Sequence, residues 1–313
     1  MNIQQLRYAA EIAKRGLNVS EAAAALHTSQ PGVSRQVRSL EEELGVKIFV
    51  RQGRRLTAVT EEGREILKGI DRILAEIASL KAVGEEYANH DKGSLTVAVT
   101  HTQARYALPK VVTAFKAAYP QVRLKLLQGS PHQLAKLVIE GEADIAIATE
   151  ALADYGELVS IPGYQWHHCV VVPAGHPLAK AGKLTLEALA RHPIVTYDPS
   201  FTGRTAIDRA FATRGLQPEF ALTALDSDVI KSYVALGLGV GIVSSMATER
   251  AREEGLVALD AAHLFAMQTT RLAFRRGAWL RGFTVEFIRL FSPHTSRADL
   301  AALAGTGGAD FEI

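Results

Sequence analysis

The chain contains one cysteine, Cys169, so it can form no intramolecular disulfide and no cysteine-built zinc cage. It has no apolar run near the ~18 residues that a membrane-spanning helix needs. Residues 1–20 lack the apolar core of a signal peptide, which puts the expected location in a reducing cytoplasm. An excess of one sign of charge is missing too: 35 Lys and Arg face 33 Asp and Glu, for a net charge of +2. A polycation that coats nucleic acid along its whole length is therefore excluded.

Catalytic motifs are also scarce. No triad or nucleophile motif stands out, and no catalytic residue, metal ligand or cofactor is assigned. Gly237-Leu238-Gly239-Val240-Gly241 has dinucleotide-loop spacing but lies between a helix and a following strand. The fingerprint needs a strand, then the glycines, then a helix. Asp226-Ser227-Asp228 lacks the remaining ligands of a calcium loop and suits a helix start. His167-His168 point to opposite faces of a strand and cannot share a metal. Cys169 lies in an apolar strand and reads as buried filler.

What the chain does have is local organisation. Its 313 residues exceed the ~250–300 that one core usually serves, so more than one domain is expected. Residues 1–60 hold nine Lys or Arg against five Asp or Glu, whereas residues 61–92 hold five against eight. A small basic head followed by an acidic rod points to local phosphate contact.

Residues 20–38, SEAAAALHTSQPGVSRQVR, carry the strongest signal. An alanine-rich helix breaks at His27-Thr28-Ser29, and a second helix opens with Ser29 as N-cap and Pro31 in its first turn. Val33, Val37, Leu40 and Leu44 form its inner face. Gln30, Ser34, Arg35 and Arg38 point outward, in residue types that can read base edges in a major groove. Beyond Gly45, Val46–Val50 and Leu56-Thr57 predict two strands around a wing tip with Arg51, Arg54 and Arg55, suited to phosphates or a narrow minor groove. Ser29, Gln30, Pro31, Ser34, Arg35, Arg38, Arg51, Arg54 and Arg55 are the candidate DNA-contacting residues. Each arginine taken alone could equally be a solvated surface charge.

Ile66, Ile70, Ile73, Ile77, Leu80, Gly84 and Tyr87 follow a 4-3 spacing with charged flanks. This predicts a coiled-coil dimerisation helix, the alternative being a helix packed on its own domain. Residues 89–93 break it as a hinge. From residue 93 strands and helices alternate, which predicts two α/β lobes with parallel sheets and a cleft at the strand ends. Hydroxyls collect at those ends: Thr100, Thr102 with Gln103, Ser130 in a capping box with Gln133, Thr149 and Thr202. Near helix N-termini they could make an anion site without lysine, or they could serve only as caps.

With TSQPGVSRQVRSLEEELGVKIFVRQGRRLT in its head, the chain resembles LysR-type transcriptional regulators over nearly its whole length, and most nearly the cysteine-regulon (CysB-type) branch. NIQQLRY, DKGSL, THTQARYALP, QGSP, ADIAIATEAL, FTGR, DSDVIKSYV and FRRGAWLR carry the nearer resemblance. The resemblance implies an all-α winged helix–turn–helix domain at 1–59 and a linker and dimerisation helix at 60–92. It implies an effector domain at 93–295 of the type II periplasmic-binding-protein kind, with lobes 93–164 plus 266–295 and 165–265, then a tail at 296–313. It also implies a cytoplasmic homodimer or homotetramer, not an enzyme, that binds promoter DNA of sulfate-assimilation and cysteine genes and works with RNA polymerase. The effector would be acetylserine, sulfate or a related sulfur anion, held by Thr100, Thr102, Gln103, Thr149 and Thr202, and more loosely by Ser130. Two alternatives stand beside it. One is an organosulfur (sulfonate or taurine) regulator sensing adenylyl sulfate or another anion. The other is an α/β enzyme with an accessory DNA-binding head.

Overall fold

The computed structural model describes residues 1–53, 55–88, 91–180, 182–249 and 251–304. The chain divides into two compact units, Met1–Glu85 and Glu86–Ile313.

In the first unit, α1 (Ile3–Lys14), α2 (Val19–Ala25) and α3 (Gln30–Leu44) enclose a small core of Leu6, Ala9, Ile12, Ala22, Ala23, Val33, Val37 and Leu40. The starts of these helices are local chemistry. Asn2 closes a capping box with Gln5, Asn18 accepts from the N–H groups of Ser20 and Glu21, and Ser29 accepts from that of Gly32. His27 takes a left-handed φ of 50° in the turn between α2 and α3, and Gly45 ends α3 at 71°. The wing is an antiparallel pair, β1 (Phe49–Gln52) and β2 (Arg55–Val59).

The long helix α4 (Glu61–Ala88) departs from the free-standing seam. Ile70 is buried in the head core, and Ile66, Leu67 and Leu74 pack against it. Gly63 makes this approach possible, because a Cβ there would lie 2.2 Å from the carbonyl oxygen of Ile48. Ile73 and Leu80 turn outward instead, at 42% and 72% exposure. A 4-3 spacing defines a face but does not say what covers it.

The second unit holds two five-stranded sheets. The first lobe has β3 (Gly93–Val99), β4 (Val122–Gln128), β5 (Ile145–Thr149) and β6 (Leu158–Trp166), covered by α5 (Leu108–Ala118) and α6 (Pro131–Ile139). The second has β7 (His168–Pro173), β8 (Ile194–Tyr197), β9 (Phe220–Ala224), β10 (Val240–Ser244) and β11 (Leu256–Asp260), with α7 (Leu186–Leu189), α8 (Thr202–Thr213) and α9 (Ser227–Ala235). The chain then returns to the first lobe as β12 (Gln268–Arg275) and α10 (Gly282–Phe291). The strand orders are β4-β3-β5-β12-β6 and β11-β7-β10-β8-β9.

The sheets are mixed, not parallel as the βα rhythm predicts. β3 runs parallel to β4 and β5, but β12 is antiparallel to both its neighbours. β8 runs parallel to β9 and β10, but β7 is antiparallel to both its neighbours. β7 and β12 are the strands that arrive directly from the other lobe. They have no helical crossover to reverse the chain, and parallel pairing needs one.

Apolar clusters on both faces of each sheet lock the helices down. Phe115, Phe283, Phe287 and Phe291 cover one face of the first sheet, and Leu134 and Val138 the other. Ile207 and Phe211 cover one face of the second, and Ile230 and Val234 the other. The segment expected as a tail is in part structured: Arg297–Ala304 forms α11, and Leu300 is buried in the core of the first lobe. Residues 305–313, and residues 89 and 90 of the expected hinge, lie outside the described residues.

The GLGVG segment follows α9 and leads into β10. A Cβ on Gly239 would lie 2.2 Å from the carbonyl oxygen of Pro193, at a φ of 157°, and one on Gly241 would lie 2.5 Å from Val171. These glycines serve close packing of strand on strand.

Candidate functional site

On the head, α3 exposes Gln30, Pro31, Arg35 and Arg38, with Ser29 exposed at its cap and Ser34 half-buried. They form one polar face at the amino-terminal half of the helix, opposite buried Val33 and Val37. In the wing Arg55 is exposed, whereas Arg54 lies outside the described residues. Arg51 has a different partner: its guanidinium lies 3.5 Å from the carboxylate of Glu41. Glu41 is 1% exposed and also accepts the N–H groups of Ile48 and Phe49 at 3.0 and 3.1 Å. Arg51 therefore ties the wing to α3, and among the described candidate arginines Arg35, Arg38 and Arg55 face solvent.

In the second unit, Thr100, Thr102, Gln103 and Thr149 line one cavity of about 30 Å³. They come from the ends of β3 and β5 and from a π-helical stretch, Gln103–Ala107, that leads into α5. Pro109 explains the wide turn, since it has no N–H to offer an α-helical acceptor. Thr202 opens α8, and its side chain lies outside the described residues; its neighbours Phe201 and Gly203 line the cavity. Ser130 is not among the lining residues. It caps α6 in a reciprocal box with Gln133, the alternative role its spacing allowed.

The cavity adds residues that strand-end reading missed. Trp166, Tyr197 and Ser244 supply its other wall. Trp166 ends β6, Tyr197 ends β8 and Ser244 ends β10, so the same carboxyl-end rule reaches them in principle. The indole N–H of Trp166 and the hydroxyl of Ser244 are buried without a hydrogen-bond partner. Such orphans are uncommon in folded proteins. The Tyr197 hydroxyl is engaged, lying 2.7 Å from the Ser227 hydroxyl and accepting the N–H of Ser244 at 2.8 Å. Gln103 is held by the protein: its amide donates to Thr270 at 3.1 Å and accepts from the Tyr164 hydroxyl. A bulge in β6 opposite Thr270 and Arg271 aims Tyr164 at it, at the point where Phe291 packs against Gly163. Burial pushes the Tyr164 phenol up to about 12, so it stays a donor.

None of the described lining residues is charged. Hydroxyls, an indole N–H and backbone amides at helix starts can hold a small anion without a counter-cation. Arg204, the arginine of FTGR, stands behind the wall. It donates to the Tyr197 carbonyl at 2.9 Å, pairs with Asp208 at 2.7 Å and lies over the Phe220 ring.

Beneath the cavity His168 packs between Trp166 and Phe265, with neither ring nitrogen hydrogen-bonded. Burial drives its imidazole down to about 4. The unfolded chain binds that proton near pH 6.5, so this stability is present above pH 6.5 and is lost between 6.5 and 4. The loss is on the order of 3 kcal/mol. Urea titrations at pH 7 and 4.5 are expected to show it, and His168→Leu is expected to flatten the slope. Equal slopes for the two proteins would contradict it.

The family comparisons match both units. Residues 3–64 match a family described as bacterial regulatory helix-turn-helix protein, lysR family, and residues 88–295 match the LysR substrate binding domain. The HTH-type transcriptional regulator CysB of Burkholderia cenocepacia is 52% identical over 297 residues, covering 95% of both chains. SsuR of the same organism, also an HTH-type transcriptional regulator, is 51% identical over 303 residues, covering 97% of this chain and 98% of its own. The crystal structure of the cofactor-binding domain of the Cbl transcriptional regulator is 46% identical, with a TM-score of 0.66, covering 68% of this chain and 94% of that one. With both family models and near-full-length relatives in agreement, the chain belongs to the LysR family of transcriptional regulators.

Proposed function

We propose that the protein controls promoters of sulfur-assimilation and cysteine genes in response to a small sulfur oxyanion held in the cavity between its lobes. The carrying observation is the uncharged cavity with two buried, unpartnered polar atoms, Trp166 Nε1 and Ser244 Oγ, facing Thr100, Thr102 and Thr149. A volume of about 30 Å³ suits a tetrahedral anion in place of roughly two waters. An acetylated amino acid needs wider lobes. Likeness to CysB and SsuR at 52% and 51% identity supports the sulfur setting.

No described helix is long and apolar enough to cross a membrane, which fits a cytoplasmic regulator. The outward Ile73 and Leu80, one heptad apart on α4, support a dimer that offers two copies of α3 to a two-fold operator, with RNA polymerase as the downstream partner.

The test is a calorimetric titration of the whole chain with sulfate, thiosulfate, acetylserine and adenylyl sulfate. Sulfate or thiosulfate is expected to bind in the closed cavity. Adenylyl sulfate binding most tightly would move the reading to organosulfur control, and binding of none would refute it. On the DNA side, Arg35→Ala is expected to weaken operator binding by ~1–3 kcal/mol and random-sequence binding far less. Equal losses in a mobility-shift assay would show that Arg35 reads no base.

A further inference from the structure

Beside the cavity, the two lobes are joined by an ionic cluster that none of the roles above uses. Asp228, in the first turn of α9, is its centre. One carboxylate oxygen lies 2.7 Å from Arg105 Nε and 3.4 Å from His101 Nε2. The other accepts from the Tyr106 hydroxyl and lies 3.2 Å from Lys231 Nζ. Lys231 also donates to the Tyr106 hydroxyl at 3.1 Å and to Glu254 at 2.8 Å. A step away, the hydroxyls of Thr102 and Ser227 lie 3.4 Å apart. His101, Arg105 and Tyr106 belong to the first lobe, and Asp228, Lys231 and Glu254 to the second.

The placement matters more than the number of charges. His101, Arg105 and Tyr106 interleave with Thr100, Thr102 and Gln103 on one segment, so latch and cavity wall move as one piece. Ser227, next to Asp228, lies 2.7 Å from the Tyr197 hydroxyl of the opposite wall. Residues of both lobes line the cavity, and parting the lobes here breaks the bonds to Asp228. Isolated surface ion pairs contribute little. This cluster differs because Lys231 is 1% exposed and screened from water. Burial would raise the Asp228 carboxyl, yet hydrogen bonds from Tyr106 and Lys231 outweigh it and hold it below the usual carboxylate value. The same bonds occupy the carboxylate that a cation between His101, Asp226 and Asp228 would require.

We infer that Asp228 is a positioning residue for effector capture: the acceptor of an inter-lobe latch that holds the two lobes together beside the cavity and sets how fast a ligand is admitted and released. It touches no ligand. It raises the share of the closed form, and apparent affinity follows that share. The inference takes only the ligand's identity from the oxyanion reading; the latch itself stands apart from it.

Asp228→Asn is a clean test, because Lys231 keeps Glu254 and the half-exposed Arg105 returns to water. Trp166 reports opening directly, since it lines the cavity and is 7% exposed. The chain has two tryptophans, so a Trp279→Phe background isolates its signal. In the full-length protein without ligand, Asp228→Asn is expected to raise acrylamide quenching of Trp166. With sodium sulfate as probe, stopped-flow release is expected to accelerate about tenfold, the scale of losing charge-assisted bonds. Arg105→Gln should act alike, and the double variant should add little. Asp228→Glu, which keeps the charge, should lie near wild type. Unchanged quenching in both single variants would overturn the latch, as would release at the wild-type rate. Raised quenching in a protein that binds no sulfate would leave the latch standing and remove the oxyanion reading.

Discussion

Thr100→Val together with Thr149→Val is expected to weaken sulfate binding by at least ~100-fold while operator binding persists. Valine keeps the branched shape and removes only the hydroxyl. Each hydroxyl bond to a charged acceptor is worth ~1.5–3 kcal/mol, so two amount to ~3–6 kcal/mol. Both side chains line the cavity, and Thr149 makes no capping bond of its own, so the fold loses little with its hydroxyl. Calorimetry on the double variant measures the affinity, and a mobility shift checks that the head still binds. A variant that binds sulfate as wild type does would place the ligand elsewhere.

Glu41→Leu is expected to destabilise the head by about 2–5 kcal/mol, because two buried amides lose their acceptor at ~1–3 kcal/mol each. Its carboxylate is the acceptor for the amides of Ile48 and Phe49 where the chain enters the wing, and it holds Arg51. Leucine leaves two strand amides without an acceptor and releases the wing from α3. A loss of that size is a large share of an ordinary domain's stability. Hydrogen exchange over residues 1–85 should speed up, and DNA binding should fail on warming well before sulfate binding does. Glu41→Gln, which keeps one acceptor oxygen, should fall between. Exchange at the wild-type rate would show that the wing stands without this anchor.

The helix–turn–helix was legible because its signals are local. Ser29 acts within a few residues, and the structure has it capping α3. Strand-end hydroxyls were legible for the same reason: Thr100 directly follows β3 and Thr149 ends β5. What was lost depends on distant partners. The stripe on α4 was visible, but not that Ile66 and Ile70 serve the head. The βα rhythm was visible, but not the antiparallel β7 and β12, because crossing between lobes leaves no mark on local periodicity. Asp228 read correctly as belonging to a helix start, capped by Asp226. Its pairing with Arg105 spans more than a hundred residues and has no sequence signal. The Arg51–Glu41 pair was not visible either, since three arginines at a wing look alike until one of them meets a buried carboxylate.

The most direct test of the whole account is a footprint of the full-length protein on a sulfur-gene promoter, with and without saturating sulfate or thiosulfate. The expected result is protection whose extent or bending changes with the anion, and the same protection without that change in the Thr100→Val, Thr149→Val protein. An anion that binds the wild-type chain yet leaves the footprint identical would contradict it.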